Sequence, residues 1–206
     1  MRRAFINTQA LREHLGSLRG AHETLDLRAN AYGLGLAKTS EIAAEVGFAR
    51  VVASPGDSEA SVLPIDPVSE TALTNWWDSP EALVTFEADV ISLKRVGPGT
   101  PVSYGYEYRT ATATTLALVS AGFSDGVPRT ASPGARMSIR GIDFPVAGRI
   151  AMDQCILDVG DSPIDLGESV TIWGASPTLS DWSLWSRRPT GAVQSHLATR
   201  VVRTWM

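Results

Sequence analysis

Cysteine is nearly missing from this chain of 206 residues: Cys155 is its only copy. No intramolecular disulfide can form, and the usage fits a reducing cytosol. Lysine is almost as scarce, with Lys38 and Lys94 the only two copies. The net charge is −4 and no stripe of Lys and Arg breaks the pattern, so nothing attracts a phosphate backbone and a nucleic-acid partner is excluded. No apolar run approaches the roughly 20 residues that span a bilayer. The two arginines of "MRRAFINTQALREHL" are not followed by the apolar stretch of a signal peptide. His14, His22 and His196 share no metal-ligand spacing with one another or with Cys155. Repeats and low-complexity tracts are absent too. The expectation is a cytoplasmic chain that engages neither membrane nor nucleic acid.

What is present falls into two unlike parts joined by a third. Residues 1–56 read as α/β. "AFIN" is a candidate strand, and Thr8 is a candidate N-cap for a helix with Leu11, Leu15 and Leu18 on one face and Gly20 at its end. Leu25 to Arg28 reads as the next strand. A second helix is predicted over 36–46, with Ile42 and Val46 one turn apart and Gly47 closing it. "RVVAS" (50–54) is a short β-branched strand. Residues 57–87, rich in Pro, Ser and acids, show no period and read as a linker. Within it Trp76-Trp77 must bury something or expose a sticky patch. Residues 88–206 carry short β-rich runs separated by turn signals such as Gly97-Pro98-Gly99 and Ser124-Asp125-Gly126. That spacing predicts a small, closed or nearly closed antiparallel barrel. The fold class expected is therefore α+β: a β-barrel-like C-terminal domain behind a short α/β segment.

Single motifs are weak on their own. "YGLGLAK" lacks the full spacing of a phosphate-binding glycine loop. Tyr104, Tyr106 and Tyr108 alternate as cross-strand packing residues would. Asp153 in "AMDQC" reads equally as a turn carboxylate. The order of the motifs is more telling. "RANAYGLG" (28–35), "PGTPVSYG" (98–105), "AGFSDGVPR" (121–129), "PVAGRIAMDQ" (145–154) and the terminal "RVVRTW" together resemble the alanine racemase family of fold-type III pyridoxal-phosphate enzymes. The resemblance covers residues 1 to about 54 and about 86 to 206.

That resemblance implies an N-terminal (β/α)8 barrel holding pyridoxal phosphate. It also implies a C-terminal β domain that completes the active site of the other subunit in a head-to-tail dimer. Carried over position by position, Tyr104 matches the catalytic tyrosine, and Met152 and Asp153 match the substrate-side pair. Tyr32 matches a tyrosine that holds the cofactor phosphate. Three positions are altered. Phe123 stands where the family has tyrosine, Gly191 stands where a phosphate-binding tyrosine is usual, and Arg28 replaces the Schiff-base lysine.

The Arg28 replacement changes the chemistry. The lysine must supply a neutral amine that attacks an aldehyde and later takes a proton. A guanidinium has a pKa above about 12 and delocalised lone pairs, so it can do neither. A (β/α)8 barrel also takes on the order of 200–250 residues, whereas the α/β part here is 1–56. Both departures predict loss of covalent cofactor binding and of autonomous racemisation. The expected role is an interaction or vestigial module, self-associating as a homodimer or docking on a full-length racemase, with the edges of its two leftover barrel strands covered by that partner. The alternative is a pyridoxal-phosphate-dependent amino-acid racemase with an altered active site.

Overall fold

The computed structural model describes residues 1–57, 61–66, 69–79 and 81–206. Its organising element is β4 (Val84–Val96), which starts inside the stretch read as linker. In "VTFEADV" burial alternates residue by residue, as a strand with one face on the core requires. The first half of β4 pairs antiparallel with β1 (Arg3–Ile6) and with β11 (Ser169–Trp173), and the second half pairs with β7 (Thr114–Val119). The sheet continues outward through β10 (Cys155–Gly160) on one side. On the other it continues through β8 (Arg136–Ile139) and β9 (Ile142–Pro145).

The predicted first strand does join this sheet. β1 lies between β4 and β12 (Val202–Trp205), and it pairs with β12 in parallel. That parallel pair corrects the purely antiparallel expectation: the sheet is mixed. Nor is it a closed barrel. Its two ends approach through one isolated bridge, Val146 to Leu157, and no continuous ladder seals them. Turn signals do separate strands along 88–206, but closure depends on how far the outer strands can follow each other, which local spacing does not encode.

The tyrosine run also departs from expectation. "SYGYEY" is a turn between the short strands β5 (Pro101–Val102) and β6 (Tyr108–Arg109), with Ser103, Gly105 and Tyr106 in the left-handed region. Tyr104 and Tyr106 are exposed, and only Tyr108 packs, donating to Asp158 at 2.6 Å.

Helix α1 (Thr8–Arg19) begins one residue earlier in its capping than predicted. Asn7, not Thr8, is the N-cap, its side-chain oxygen accepting from the Ala10 N–H at 3.0 Å. Leu11 and Leu15 are buried, while Leu18 turns to solvent. β2 (Thr24–Asp26) and β3 (Arg50–Val52) form a parallel pair, with α3 (Leu36–Glu45) between them in sequence.

The linker is not a passive tether. Leu73 forms a parallel bridge to Leu25 on one edge of this pair, and Ile65 forms one to Val51 on the other. Leu73 N–H donates to Thr24 O at 2.8 Å, and Asp66 N–H donates to Val51 O at 2.8 Å. The two strand edges expected to seek a partner are thus occupied by the chain itself.

Trp76 resolves the question its pair raised. It is fully buried and its indole N–H donates to Asp26 O at 2.6 Å. In the β domain a second aromatic row forms the core: Phe86 and Trp173 lie 4.7 Å apart between ring centroids, and Trp173 and Trp182 6.2 Å, in edge-to-face arrangements. Helix α4 (Leu179–Ser186), which carries Trp182, is held at its start by a reciprocal Thr178–Asp181 capping box. Helix α5 (Thr190–Ser195) follows. No described helix is long and apolar enough to cross a membrane.

Trp76 plugs the strand pair and ties down the linker together, so Trp76→Ala should cost about 3–5 kcal/mol of stability. Urea denaturation followed by circular dichroism checks this. A midpoint within error of wild type would show that the linker is not part of the folded core.

Candidate functional site

Two groups of the motif residues can be followed upward from the backbone. The first lies at the end of β2. Residues Arg28–Tyr32 (α2) make a single turn of the wrong hand: Ala29, Asn30, Ala31 and Tyr32 have φ between 51° and 54°. For L-residues this costs roughly 1–2 kcal/mol each, so the surroundings must over-determine it. They do. Ala29 N–H donates to Ser54 Oγ at 2.8 Å, Asn30 Oδ1 accepts from Leu36 N–H at 2.8 Å, and Gly35 N–H returns to Asn30 O at 3.0 Å. From the C-terminal part, Arg203 Nε donates to Gly33 O at 2.8 Å.

At the centre of this turn sits Asp26, 1% exposed. Its carboxylate accepts from the Arg28 backbone N–H at 3.0 Å, from Arg28 Nε at 2.9 Å and Nη2 at 2.6 Å, and from the Tyr32 hydroxyl at 2.8 Å. Burial pushes the Asp26 carboxyl up, but the Arg28 and Tyr32 donors outweigh it and hold the group below its ordinary 3.8. The bond to Asp26 lifts the Arg28 guanidinium further above its usual range. Burial and the Asp26 carboxylate push Tyr32 up to about 12.

On the other side of Tyr32 lies Trp77, at 3.8 Å between ring centroids. A Cβ added at Gly191 would meet Trp77 Cε2 at 2.5 Å. The structure therefore does bring Tyr32 and Gly191 together, with an indole wedged between them.

The second group lies on the β domain. Phe123 N–H donates to Ala151 O at 3.0 Å and Ser124 N–H to Met152 O at 2.9 Å, so "GFSD" lies against "AMDQ". Glycine is needed at 122, because a Cβ there would meet Ala151 O at 2.3 Å and Met152 O at 2.5 Å. Asp153 is more than a turn carboxylate: it accepts from Arg200 Nη2 at 2.6 Å. Arg200 in turn pairs at 2.7 Å with fully buried Asp125, which Arg2 also approaches at 2.7 Å. Tyr104 rises beside this flank. A groove of about 380 Å³ is lined by Tyr104, Tyr106, Arg149, Ala151 and Gln154 among others. Tyr104 is 72% exposed and Met152 56%, and Phe123 is at the surface beside them. None of Asp26, Arg28, Tyr32 or Gly191 is among the groove's described lining residues, so the two groups do not share one pocket. Cys155, beneath the groove, is buried and its thiol is pushed up to about 12, leaving it inert at neutral pH. Among the described residues no cluster of His, Cys, Asp and Glu could hold a metal.

Asp26, Asp125 and Arg200 were not singled out from sequence. Asp125 and Arg200 stood inside quoted motifs. Asp26, two residues before Arg28, had a signal in the alternation of "LDLR"; Trp77 was noted as half of a pair needing burial, but not as a neighbour of Tyr32 and Gly191.

The fold assembled from these pieces is that of a known enzyme class. It superposes on alanine racemase from Streptomyces lavendulae with a TM-score of 0.84, at 18% identity, covering 100% of this chain and 97% of that one. It also superposes on alanine racemase from Bartonella henselae, solved with covalently bound pyridoxal phosphate, at a TM-score of 0.80 and 17% identity over 100% and 99% of the two chains. In sequence, residues 83–205 match the profile of the alanine racemase C-terminal domain. Alanine racemase of Thermobifida fusca is 40% identical over 104 residues, covering 48% of this chain and 28% of that enzyme. The chain belongs to the alanine racemase family, and it spans less than a third of the length of this relative.

The residues in place do not fit the cofactor that the family implies. An anionic phosphate wants donors and positive charge, yet the Tyr32 hydroxyl and one edge of the Arg28 guanidinium are turned to Asp26, a carboxylate. Gly191 offers no side chain, and Trp77 fills the space beside it. Of the two lysines, Lys38 lies on α3 paired with Glu41 and Lys94 lies on β4. Neither is at the turn.

The Asp26 cluster links stability to pH. Its carboxyl is depressed in the fold, so its contribution is fully present above the ordinary 3.8 and is lost as pH falls through the folded value. Tyr32 is raised, so its contribution holds below the ordinary 10.0 and is lost as pH rises through about 12. Arg28→Met should therefore lower stability at neutral pH and flatten its fall on acidification, while leaving the backbone N–H and Tyr32 donors in place. Urea midpoints measured between pH 3 and 7 read this directly. Superimposable acid limbs for the two proteins would refute the coupling.

Proposed function

We propose that this protein is a non-catalytic member of the alanine racemase family, acting as a binding module rather than as a racemase by itself. The observation that carries this reading is the state of position 28. A guanidinium stands where an amine is required, and both donors of its Nε–Nη2 edge are engaged by Asp26. In this reading residues 1–56 are what is left of a (β/α)8 barrel, 57–87 splice its strands to the rest, and 88–206 are the family's C-terminal β domain. The cytoplasm is the setting that its composition favours.

The surviving family positions suggest what the module binds. Tyr104, Met152 and Asp153 are the ones the resemblance assigns to completing a neighbouring subunit's site, and Tyr104 and Met152 are exposed. Tyr104 and Tyr106 line an open groove, and Phe123 and Met152 add exposed aromatic and thioether surface, the composition of an interface core. The partner proposed is a full-length alanine racemase, or a second copy of this chain. Because the linker already covers both edges of the β2–β3 pair, this face and not a strand edge would carry the contact.

Two measurements test the reading. Incubation with pyridoxal phosphate, borohydride reduction and peptide mass spectrometry should find no saturable one-to-one lysine adduct. A stoichiometric adduct on Lys38 or Lys94, with racemisation of L-alanine, would establish the enzymatic alternative. Size-exclusion chromatography with a full-length racemase at micromolar concentration should show co-elution that Tyr104→Ala with Met152→Ala abolishes. Independent elution of all components, with this chain as a monomer, would sink the docking proposal.

A further inference from the structure

A cleft of about 1090 Å³ adjoins the first group, sharing Trp77 with it, and has neither Arg28 nor Tyr104 among its described lining residues. One wall is the linker end, residues 77–79 and 81–84; the other is formed by the end of β11 with α4 and α5. Trp77, Trp173 and Leu179 supply apolar surface, and Asp78 and Glu81 supply carboxylates. No lysine or arginine is among its described lining residues.

Two of its lining residues are closed off from water and carry donors without a partner. Trp173 is 1% exposed with an unpaired Nε1–H, and Gln194 is 2% exposed with an unpaired Nε2. Such groups are rare in folded proteins because each bears a desolvation penalty with nothing to offset it. The other buried indoles show what is normal here: Trp76 donates to Asp26 O at 2.6 Å and Trp182 to Ile172 O at 2.5 Å. Six buried polar atoms lack a hydrogen bond among the described residues, and two of these, on Arg2 and Glu168, belong to ion-paired side chains. Two of the other four therefore fall in the walls of one cleft.

Unsatisfied donors call for an acceptor. The carboxylates of Asp78 and Glu81 exclude an anion from supplying it, and the indoles favour a flat apolar body. We propose that this cleft is a binding site for a small neutral molecule with a carbonyl-type acceptor on an aromatic or similarly flat frame, the aromatic carboxamide being the simplest case. The same chemistry rejects phosphorylated and carboxylate ligands. The site owes nothing to Arg28 or Tyr104, so it stands or falls independently of the docking role.

The test uses the full ¹⁵N-labelled chain, whose six tryptophans give separate indole N–H signals. Benzamide is the probe and benzoate its charged counterpart. Benzamide should move the Trp173 indole and Gln194 side-chain amide signals saturably while Trp182 stays still. Benzoate should bind at least about tenfold more weakly, a difference of roughly 1.4 kcal/mol. Trp173→Phe keeps a ring and removes the donor; Gln194→Met removes the other donor on a different element. Either, with its remaining indole signals unmoved, should weaken benzamide by several-fold. Trp173 and Gln194 signals that benzamide does not move, the donors being met by water alone, would overturn the proposal. So would equal binding of benzoate, or unchanged affinity in both variants.

Discussion

The fold of the N-terminal third hangs on one buried carboxylate. Asp26 gathers four donors from Arg28 and Tyr32, while its own backbone N–H and carbonyl reach Leu73 and Trp76 of the linker. A single residue thus joins a strand, a strained turn and a distant segment. A carboxylate this buried is tolerable only when fully partnered. Arg28 is what partners it, a planar cation that meets the carboxylate edge to edge.

This gives the left-handed turn its support. Four consecutive L-residues at positive φ would revert without external bonds, and here those bonds are made with Ser54, Asp57, Leu36 and Arg203. The Trp77 ring closes the far side of the turn, lying on Tyr32 and against Gly191 where a larger side chain could not fit.

Much of this was legible in the sequence, and for identifiable reasons. The β-branched "RVVAS" and the spacing of turn signals are local properties, and the elements they predict are present, whereas the start of β4 was hidden in the stretch read as linker. The motif order pointed to the family. What escaped was long-range. Closure of the sheet, the parallel β1–β12 pair and the bridging of Leu73 and Ile65 onto strand edges all depend on partners far along the chain, which no window of sequence displays. The tyrosine alternation of "SYGYEY" misled because a period of two fits a turn carrying positive φ as well as it fits a strand. Of the site, Tyr104, Met152, Asp153 and Phe123 were found through motifs. The Asp26 and Trp77 contacts were not, because their meaning lies in what they touch.

The parallel pairing of β1 with β12 has a kinetic side. Residues 3–6 and 202–205 are neighbours in space at nearly the greatest separation the chain allows. As the polypeptide is made, β1 can dock on β4 once residues 84–87 exist, but its other edge stays open until β12 follows. For that interval the nascent chain carries an unpaired β edge flanked by apolar Ala4 and Ile6. A strand of four residues thus also shields an edge that would otherwise recruit wrong partners.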